Sequence, residues 1–488
     1  MTINILPDDV LLYIFFVEGL GYHGRPSISL EDHEDDDRVR RLPWMWHRLV
    51  HVCRRWRSIV FASPNFLDLR LVCGPMTLMK LTRILPPLPI IITNAFDSYV
   101  PEDYDFDALI MHPNRVREIY IVDQSRSVLQ RLASVTWMQE QFTALTHLTL
   151  VRSRTCLGSA PVLPDGFLGG SAPHLQSLAL TSILFPALPN LLMSATHLVR
   201  LALRDIPHSG YFSPEVIVTA LANLVNLECL IIRFISPLSR PNRKIQSPTT
   251  LISLPALTRY EFKGASEYLE DFVAQIDAPS LNSICITFFP QPIFDIPRLA
   301  QFMGRITWLH KLKEAHFQFG PGGAYAEIRL PATRTIDGDY GLSISCRVLD
   351  WRHSSESSLA QVFTSFVPSI YIVDHLYIYE AQYQWHWQDD PDVEYIQWPW
   401  KWLEIFLPFS AVNSLYLTKK IASSIARALQ ELVGSGTTEV LPTLQNIFLE
   451  GLQPSGHIPE GIQKFVAARQ LSGNPIIVSI WERGLWRE

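Results

Sequence analysis

The stretch Leu198-Val199-Arg200-Leu201-Ala202-Leu203 carries the pattern Leu-x-x-Leu-x-Leu, which recurs along the chain with apolar substitutions. Successive copies, this one included, begin at Val116, Leu145, Leu175, Leu198, Leu227, Leu257, Leu281 and Leu312. Their first positions are 29, 30, 23, 29, 30, 24 and 31 residues apart. After a gap of 61 residues, in which Leu342 to Val348 is a candidate for a missing strand, three more copies begin at Val373, Val412 and Leu444. This spacing predicts one short strand per unit, repeated many times around a shared core.

The repeat resembles the leucine-rich repeat, in which each unit gives a short parallel strand and a returning helix or turn. Ribonuclease-inhibitor-type repeats carry Asn or Cys three residues after the core pattern. Here those positions hold Ser153, Ile183, Ile206, Ile235, Ala265 and Phe289. The resemblance therefore implies an irregular α/β solenoid over residues 73–488, with parallel strands and returning helices.

The segments between the copies contain helix signals. Ser213 and Pro214 suit the cap and the first position of a helix that reaches Asn223. Residues 297–309 and 421–433 also show helical spacing. Near the end, Glu460 to Gln470 reads as a helix and Ile476 to Ile480 as a last strand. These elements predict a terminal cap over about residues 455–488.

The first residues predict a separate helical module. In Ile5-Leu6-Pro7-Asp8-Asp9-Val10-Leu11-Leu12-Tyr13-Ile14-Phe15, proline and two carboxylates suit the start of a helix. Val10, Leu11, Ile14 and Phe15 then fall on one face. A second piece, residues 42–61, places six apolar residues on one stripe, with three arginines off it. The stripe consists of Leu49, Val52, Cys53, Trp56, Ile59 and Val60.

Leu-Pro before an apolar helix, and Val-Cys-Arg-Arg-Trp-Arg-x-Ile-Val before Ala-Ser-Pro, resemble the F-box of fungal protein families. The resemblance implies a short all-α F-box domain over residues 1–72, with an acidic inserted loop at about 19–41. It also implies docking on a Skp-type adaptor and, through it, on a cullin. The positions that match the docking motif are Leu6, Pro7, Val10, Ile14, Leu49, Val52 and Trp56. Some of these must instead hold the short helices together, and the sequence alone does not sort them.

Composition narrows the class of function. Charged residues make up 18% and hydrophobic residues 48% of 488 residues, which is typical of a folded chain. The net charge of −6 argues against nucleic acid and anionic membranes as partners. The apolar run from Val10 to Val17 is too short to span a bilayer. Six scattered cysteines favour reduced thiols and a cytoplasmic or nuclear location.

No pattern predicts an active site. The glycine-rich stretches at Gly320 to Gly323 and Gly434 to Gly436 lack the Gly-Lys-Ser/Thr of a phosphate loop. The acidic cluster beside His386 reads as a solvated turn, and Asp337-Gly338-Asp339 reads as a tight turn. We therefore predict no catalytic residue, no cofactor and no metal site. The F-box resemblance implies a substrate receptor of an SCF-type cullin–RING ubiquitin ligase, which binds a target protein through the repeat region. The alternative is a repeat scaffold that acts without ubiquitin transfer, and an enzyme on an α/β repeat is a third.

Two features are candidates for binding a target protein. Arg204, Arg233 and Lys263 occupy the same position just after the core of their repeats, with Arg200 and Arg259 one pleat away. These five residues predict a cationic ladder on the concave side, suited to an acidic or phosphorylated segment. The alternatives are neutralisation by the acidic loop or by helix carboxylates, and a chance placement of solvated side chains. The second feature is a Trp-rich stretch, 385–402, which suits either a partner anchor or an insert packed on the repeats.

Overall fold

The structure is a computed structural model. It describes residues 5–20, 45–64, 66–67, 69–73, 87–93, 113–123, 129, 141–153, 159–241, 251–289, 295–319, 325–335, 338–347, 372–380, 402–433, 440–451 and 458–481. Within these ranges the protein is mixed α/β, and its main feature is one sheet of 16 strands. The predicted acidic loop beyond residue 20, both glycine-rich stretches, His386 and the tryptophans at 385–400 lie outside the described residues.

The sheet is mostly parallel. In chain order its strands are β1 (Leu71–Cys73), β2 (Ile90–Thr93), β3 (Val116–Asp123), β4 (His147–Arg152), β5 (Ser177–Thr181), β6 (Arg200–Ile206), β7 (Cys229–Phe234), β9 (Arg259–Gly264), β11 (Ser283–Phe288), β12 (Glu314–Phe319), β13 (Tyr325–Thr335), β14 (Gly338–Arg347), β15 (His375–Glu380), β16 (Ser414–Leu417), β17 (Asn446–Glu450) and β18 (Ile477–Trp481). Two short strands, β8 (Ile252–Ser253) and β10 (Ile276–Asp277), pair separately.

Helices connect many of the strands. They are α1 (Asp8–Leu20), α2 (Met45–Val50), α3 (Arg54–Ala62), α4 (Leu188–Ser194), α5 (Pro214–Leu221), α6 (Ser266–Val273), α7 (Pro297–Met303), α8 (Trp402–Phe406), α9 (Lys419–Glu431) and α10 (Glu460–Leu471). The helix predicted at Ser213 is confirmed, because the Ser213 side chain accepts a hydrogen bond from the Val216 N–H at 3.4 Å. It ends at Leu221, two residues earlier than expected.

The apolar repeat positions form the core. In all eleven copies of the pattern the three core residues are at most 4% exposed. Neighbouring copies are also in register: Leu178 lies opposite Leu201, which lies opposite Leu230. Burying residues of this kind is worth roughly 1.5–3 kcal/mol for each side chain, so the repeat makes a large contribution to stability. The core continues from the N-terminal helices into the sheet without a break.

The strand order departs from the sequence order at one place. Along the sheet, β11 is followed by β14, β13, β12 and β15. Residues Leu342 to Arg347 of the candidate strand are part of β14, and Val348 lies outside the described residues. β13 and β14 form a hairpin that inserts between β11 and β12. β13 is antiparallel to both neighbours. The expectation of parallel strands throughout is therefore wrong here, because two consecutive long strands pair directly instead of returning through a helix.

The second N-terminal piece forms two short helices. α2 ends at Val50, and α3 starts after Cys53, whose Sγ accepts from the Trp56 N–H at 3.4 Å. At the other end of the chain, the predicted helix and strand are present as α10 and β18. Among the described residues, none of the helices has the length and apolar character needed to cross a membrane.

Candidate functional site

The three N-terminal helices are held together by polar and aromatic contacts. Arg55 of α3 donates from Nε to Asp8 Oδ1 at 2.8 Å and from Nη2 to the Leu6 carbonyl at 2.5 Å. Inside the module, the rings of Phe15 and Trp56 lie 4.7 Å apart. The Trp46 indole donates to the Arg70 carbonyl at 3.1 Å, which ties the module to the first strand. The N-terminal module therefore has a fixed position next to β1.

The predicted adaptor-docking residues separate into two groups. Leu6, Leu49 and Trp56 are partly buried and pack against the core. Pro7, Val10 and Val52 are exposed, and Ile14 is half-buried. The first group holds the helices together, and the second is available to a partner.

An apolar surface lies on the outside of this module. Five large apolar side chains in it are 39–71% exposed. We call them the N-terminal apolar surface: Ile5, Val10, Tyr13, Val17 and Val52. Three of them follow helical spacing along α1, on the side away from the buried Leu11 and Phe15. Tyr13 and Val17 were absent from the docking prediction, although their spacing from Val10 was a signal for a second apolar face.

A group of basic side chains lies on the outer face of the sheet, opposite the core. We call it the cationic patch: Arg200, Arg204, Arg233, Arg259 and Lys263. Arg200 lies opposite Cys229, which lies opposite Arg259, and Arg233 lies opposite Lys263. The structure therefore brings together all five predicted residues on three adjacent strands, β6, β7 and β9. All five are half-buried, so their aliphatic stems lie along the sheet.

Glu261 lies within the cationic patch. It is 6% exposed, forms an ion pair with Arg233, and has Oε2 3.9 Å from Arg259 Nη2. The carboxylate is hydrogen-bonded to Arg233, and its charge lowers the repulsion between the two guanidinium groups. The basic residues still outnumber the acidic ones there, even when the buried Asp205 of β6 is counted.

The register of the patch differs from the prediction at Arg204. The pairing of β6 with β7 shifts after Leu203, so that Ile206 faces Phe234. The backbone of Asp205 has a φ of 49°, which is the left-handed conformation typical of a bulge. Arg204 and Asp205 together therefore oppose Arg233, and Arg204 is displaced from the simple ladder that equal spacing predicted.

Apolar residues lie between the basic side chains. Ala179, Ala202 and Ile231 form a second buried cluster on this face, with Cys229 packed against it. Burial raises the pKa of the Cys229 thiol, although Arg259 and Arg200 partly offset that effect. Burial therefore favours the neutral thiol over the thiolate.

A row of stacked rings follows on the same face, and sequence reasoning missed it. We call it the aromatic row: His316, Tyr377, Tyr416 and Phe448, from β12, β15, β16 and β17. Successive ring centroids are 4.5, 4.2 and 4.5 Å apart, with interplanar angles of 12°, 13° and 7°. Trp481 contacts Tyr416 at 5.6 Å and Tyr377 at 6.0 Å. Each member comes from a different strand, so no local signal in the sequence announces the row.

The Trp-rich stretch gives one described residue, Trp402. It is 2% exposed, donates from its indole to Ser424 Oγ at 2.9 Å, and packs against Phe319 at 5.4 Å. This tryptophan therefore belongs to the core. Among the described residues there is also no group of three or more His, Cys, Asp or Glu side chains arranged to hold a metal ion.

Comparison with known protein families found no family model that matches this chain. Comparison with curated proteins found no matching sequence either.

Proposed function

We propose that this chain is a substrate receptor of an SCF-type cullin–RING ubiquitin ligase. Its N-terminal module would be an F-box that docks on a Skp-type adaptor. The strands that follow would form an irregular leucine-rich-repeat-like solenoid that holds a target protein. The protein would act in the cytoplasm or nucleus without an active site of its own. The motif that resembles an F-box, and the repeat that follows it, support this assignment.

The observation that carries the proposal is the N-terminal apolar surface. α1 has one apolar face against the core and a second that is exposed, with Val10 at 39%, Tyr13 at 63% and Val17 at 47%. A helix that is apolar on both faces is normally buried on both. An apolar surface beyond a scatter of single residues marks a site of interaction with another protein. It lies in the segment that resembles the F-box.

The solenoid part of the proposal rests on register and burial. The core positions of the repeats are buried, and most strands follow one another in sequence order. This is the arrangement that stacked repeat units produce. The inserted β13–β14 hairpin is the irregular element of that array.

A pull-down from the native cell tests the adaptor assignment. Full-length protein is captured and the Skp-type adaptor is measured in the eluate, for the wild type and for Val10→Asp with Val52→Asp, two exposed positions of the N-terminal apolar surface. We expect adaptor with the wild type and none with the double variant. If both proteins are folded and neither captures adaptor, the chain is instead a repeat scaffold without ubiquitin transfer.

A further inference from the structure

We infer that the outer face of the sheet binds one extended target segment with two recognition elements. Acidic or phosphorylated residues of the segment occupy the cationic patch, and a Lys- or Arg-containing apolar stretch occupies the aromatic row. This inference rests on the proposed function, because it names the kind of target that the receptor takes.

The two surfaces belong to one face. Strand pairing carries a single line of outward residues from the cationic patch to the aromatic row. Starting at Ile231 of β7, the line runs through Glu261, Cys285, Ser343, Arg329, His316, Tyr377, Tyr416 and Phe448. A single segment lying across the strands would therefore meet both surfaces.

The separation sets the length of the segment. Seven steps between neighbouring strands lead from β7 to β16. At about 4.8 Å for each step this is roughly 34 Å along the sheet. An extended peptide rises about 3.3 Å per residue, so about ten residues separate the centres of the two elements.

The surface between them allows a backbone to pass. Its outward residues on β11 and β14 are small: Ser283, Cys285, Thr287, Ser343 and Ser345. Ser345 Oγ donates to Thr287 Oγ1 at 2.9 Å, and Ser343 Oγ donates to Glu327 Oε1 at 2.5 Å. Short side chains on β11 and β14 leave a low floor there. Beyond them β13 carries the ion pair of Arg329 with Glu327, over which the segment would also pass.

The charges of the two ends are opposite. Five basic side chains define the patch, which favours carboxylate or phosphate groups. The aromatic row is flanked on the same face by Glu314 and Glu450, which alternate with His316 and Phe448 along their strands. Aromatic rings beside carboxylates favour a Lys or Arg side chain, through cation–π attraction and ion pairing. Aromatic residues also dominate the energetics of protein interfaces.

Selection from a phage library of random 16-residue peptides tests this inference, with the full chain bound to its adaptor as bait. We expect enriched peptides to carry an acidic cluster and a Lys- or Arg-containing apolar cluster about ten residues apart. No enrichment, or enrichment without this two-part pattern, overturns the inference. Preferential binding of a single-stranded RNA probe also overturns it.

A synthetic peptide with the consensus sequence of the selected clones then shows which surface binds each half of the segment. Its dissociation constant is measured by fluorescence anisotropy for the wild type and the variants. We expect Tyr416→Ser with Phe448→Ser to weaken binding about tenfold or more. In this double variant, removing the basic half of the peptide should weaken binding little further, because the aromatic side chains that contact that half are already absent. Arg204→Glu with Arg233→Glu should likewise weaken binding, and removing the acidic half of the peptide should then have little further effect on the affinity. Affinity that is unchanged in either pair of variants contradicts the inference.

Matched controls separate binding from folding. Tyr416→Phe keeps the ring and should keep the affinity, and Arg305→Glu reverses an exposed charge on the helical side of the sheet. Adaptor co-purification is measured for every variant. If the wild type does not bind the adaptor, the proposed function is contradicted. If the wild type binds the adaptor but selects no peptide with both an acidic and a basic apolar cluster, this inference alone is contradicted.

Discussion

Arg55 and Asp8 form an ion pair across the N-terminal module, with 2.6 Å between Nη2 and Oδ1. The same guanidinium bonds the Leu6 carbonyl, so one side chain of α3 fixes the start of α1. Both partners are partly exposed, which limits the pair to about 0–1 kcal/mol. Its effect is therefore on the position of α1 more than on the stability of the whole chain.

We expect Arg55→Ala to lower the free energy of unfolding by about 1 kcal/mol, mainly through the lost bond to the carbonyl. Hydrogen exchange should accelerate in residues 8–20 and stay unchanged in β5–β9. Arg54→Ala, at an exposed neighbouring position, is the matched control. Equal exchange in the two variants would show that the contact with Leu6 and Asp8 does not hold the helix.

The repeat core gives the largest expected effect of a single substitution. Leu230 is fully buried and lies between Leu201 and Tyr260 on the neighbouring strands. Leu230→Ala should cost about 2–5 kcal/mol, and Leu230→Asp should cost more. Hydrogen exchange should rise across residues 198–262, because the strands on both sides of β7 pair with it around Leu230.

Ile235 provides the control for that experiment. It follows the same strand and is 56% exposed, so Ile235→Asp should change stability by about 0.5 kcal/mol or less. If Leu230→Asp left exchange as slow as Ile235→Asp does, the role of Leu230 in the core would be contradicted.

The packing of the last two long helices depends on Gly461. A Cβ atom at this position would lie 2.1 Å from the Ala426 carbonyl oxygen of α9. We expect Gly461→Ala to push the helices apart and to cost about 1–3 kcal/mol in a thermal or chemical unfolding experiment.

Gly304→Ala is the matched control, because the nearest atom to its Cβ would be 3.4 Å away. That variant should be as stable as the wild type or slightly more stable. Equal stability of both variants would mean that α9 and α10 do not approach each other as closely as described.

Two buried phenols and the half-buried thiol of Cys285 predict a loss of stability at alkaline pH. Burial raises the pKa of Tyr260 and Tyr268 well above the ordinary value and raises the pKa of Cys285 to about 12. A raised pKa in the folded state favours the neutral form. The stabilisation is therefore complete below the unfolded pKa and is lost as pH rises through the folded pKa. We expect the free energy of unfolding to fall between about pH 9 and pH 12.

Denaturant unfolding at a series of pH values, followed together with tyrosinate absorbance, checks this expectation. Tyr268→Phe removes a hydroxyl that has no hydrogen-bond partner in the described part of the chain. It should reduce the alkaline loss without lowering stability at neutral pH. Titration of all tyrosines near pH 10 in a protein that stays folded would contradict the burial of these groups.

Sequence reasoning succeeded where the signal is local and periodic. The repeat predicted short strands around a shared core, and Leu201, Leu230 and Ile284, which occupy the middle position of their copies, are each at most 1% exposed. A few apolar residues at fixed spacing are enough to predict one strand. When the same spacing repeats along the chain, it also predicts which residues of neighbouring strands lie opposite each other. The cap of α5 at Ser213 was predictable for the same reason, since its pattern lies within four residues.

The remaining features depend on contacts between distant parts of the chain. The inserted hairpin pairs Ile284 of β11 with Leu342 of β14, and no local pattern states which of the possible neighbours β11 selects. Tyr377 and Tyr416 stack although they are far apart in sequence. The displacement of Arg204 results from the left-handed backbone conformation of Asp205. The residues around Asp205 do not predict that conformation.

Titration of purified Skp-type adaptor into the full chain, followed by calorimetry, is the most direct test of the proposed adaptor docking. Val10→Asp with Tyr13→Asp is compared with Val225→Asp, which places the same charge at an exposed apolar position far from the N-terminal module. We expect the wild type and Val225→Asp to bind equally and the double variant to lose binding with an unchanged melting temperature. Equal binding by all three proteins would contradict docking through the N-terminal apolar surface.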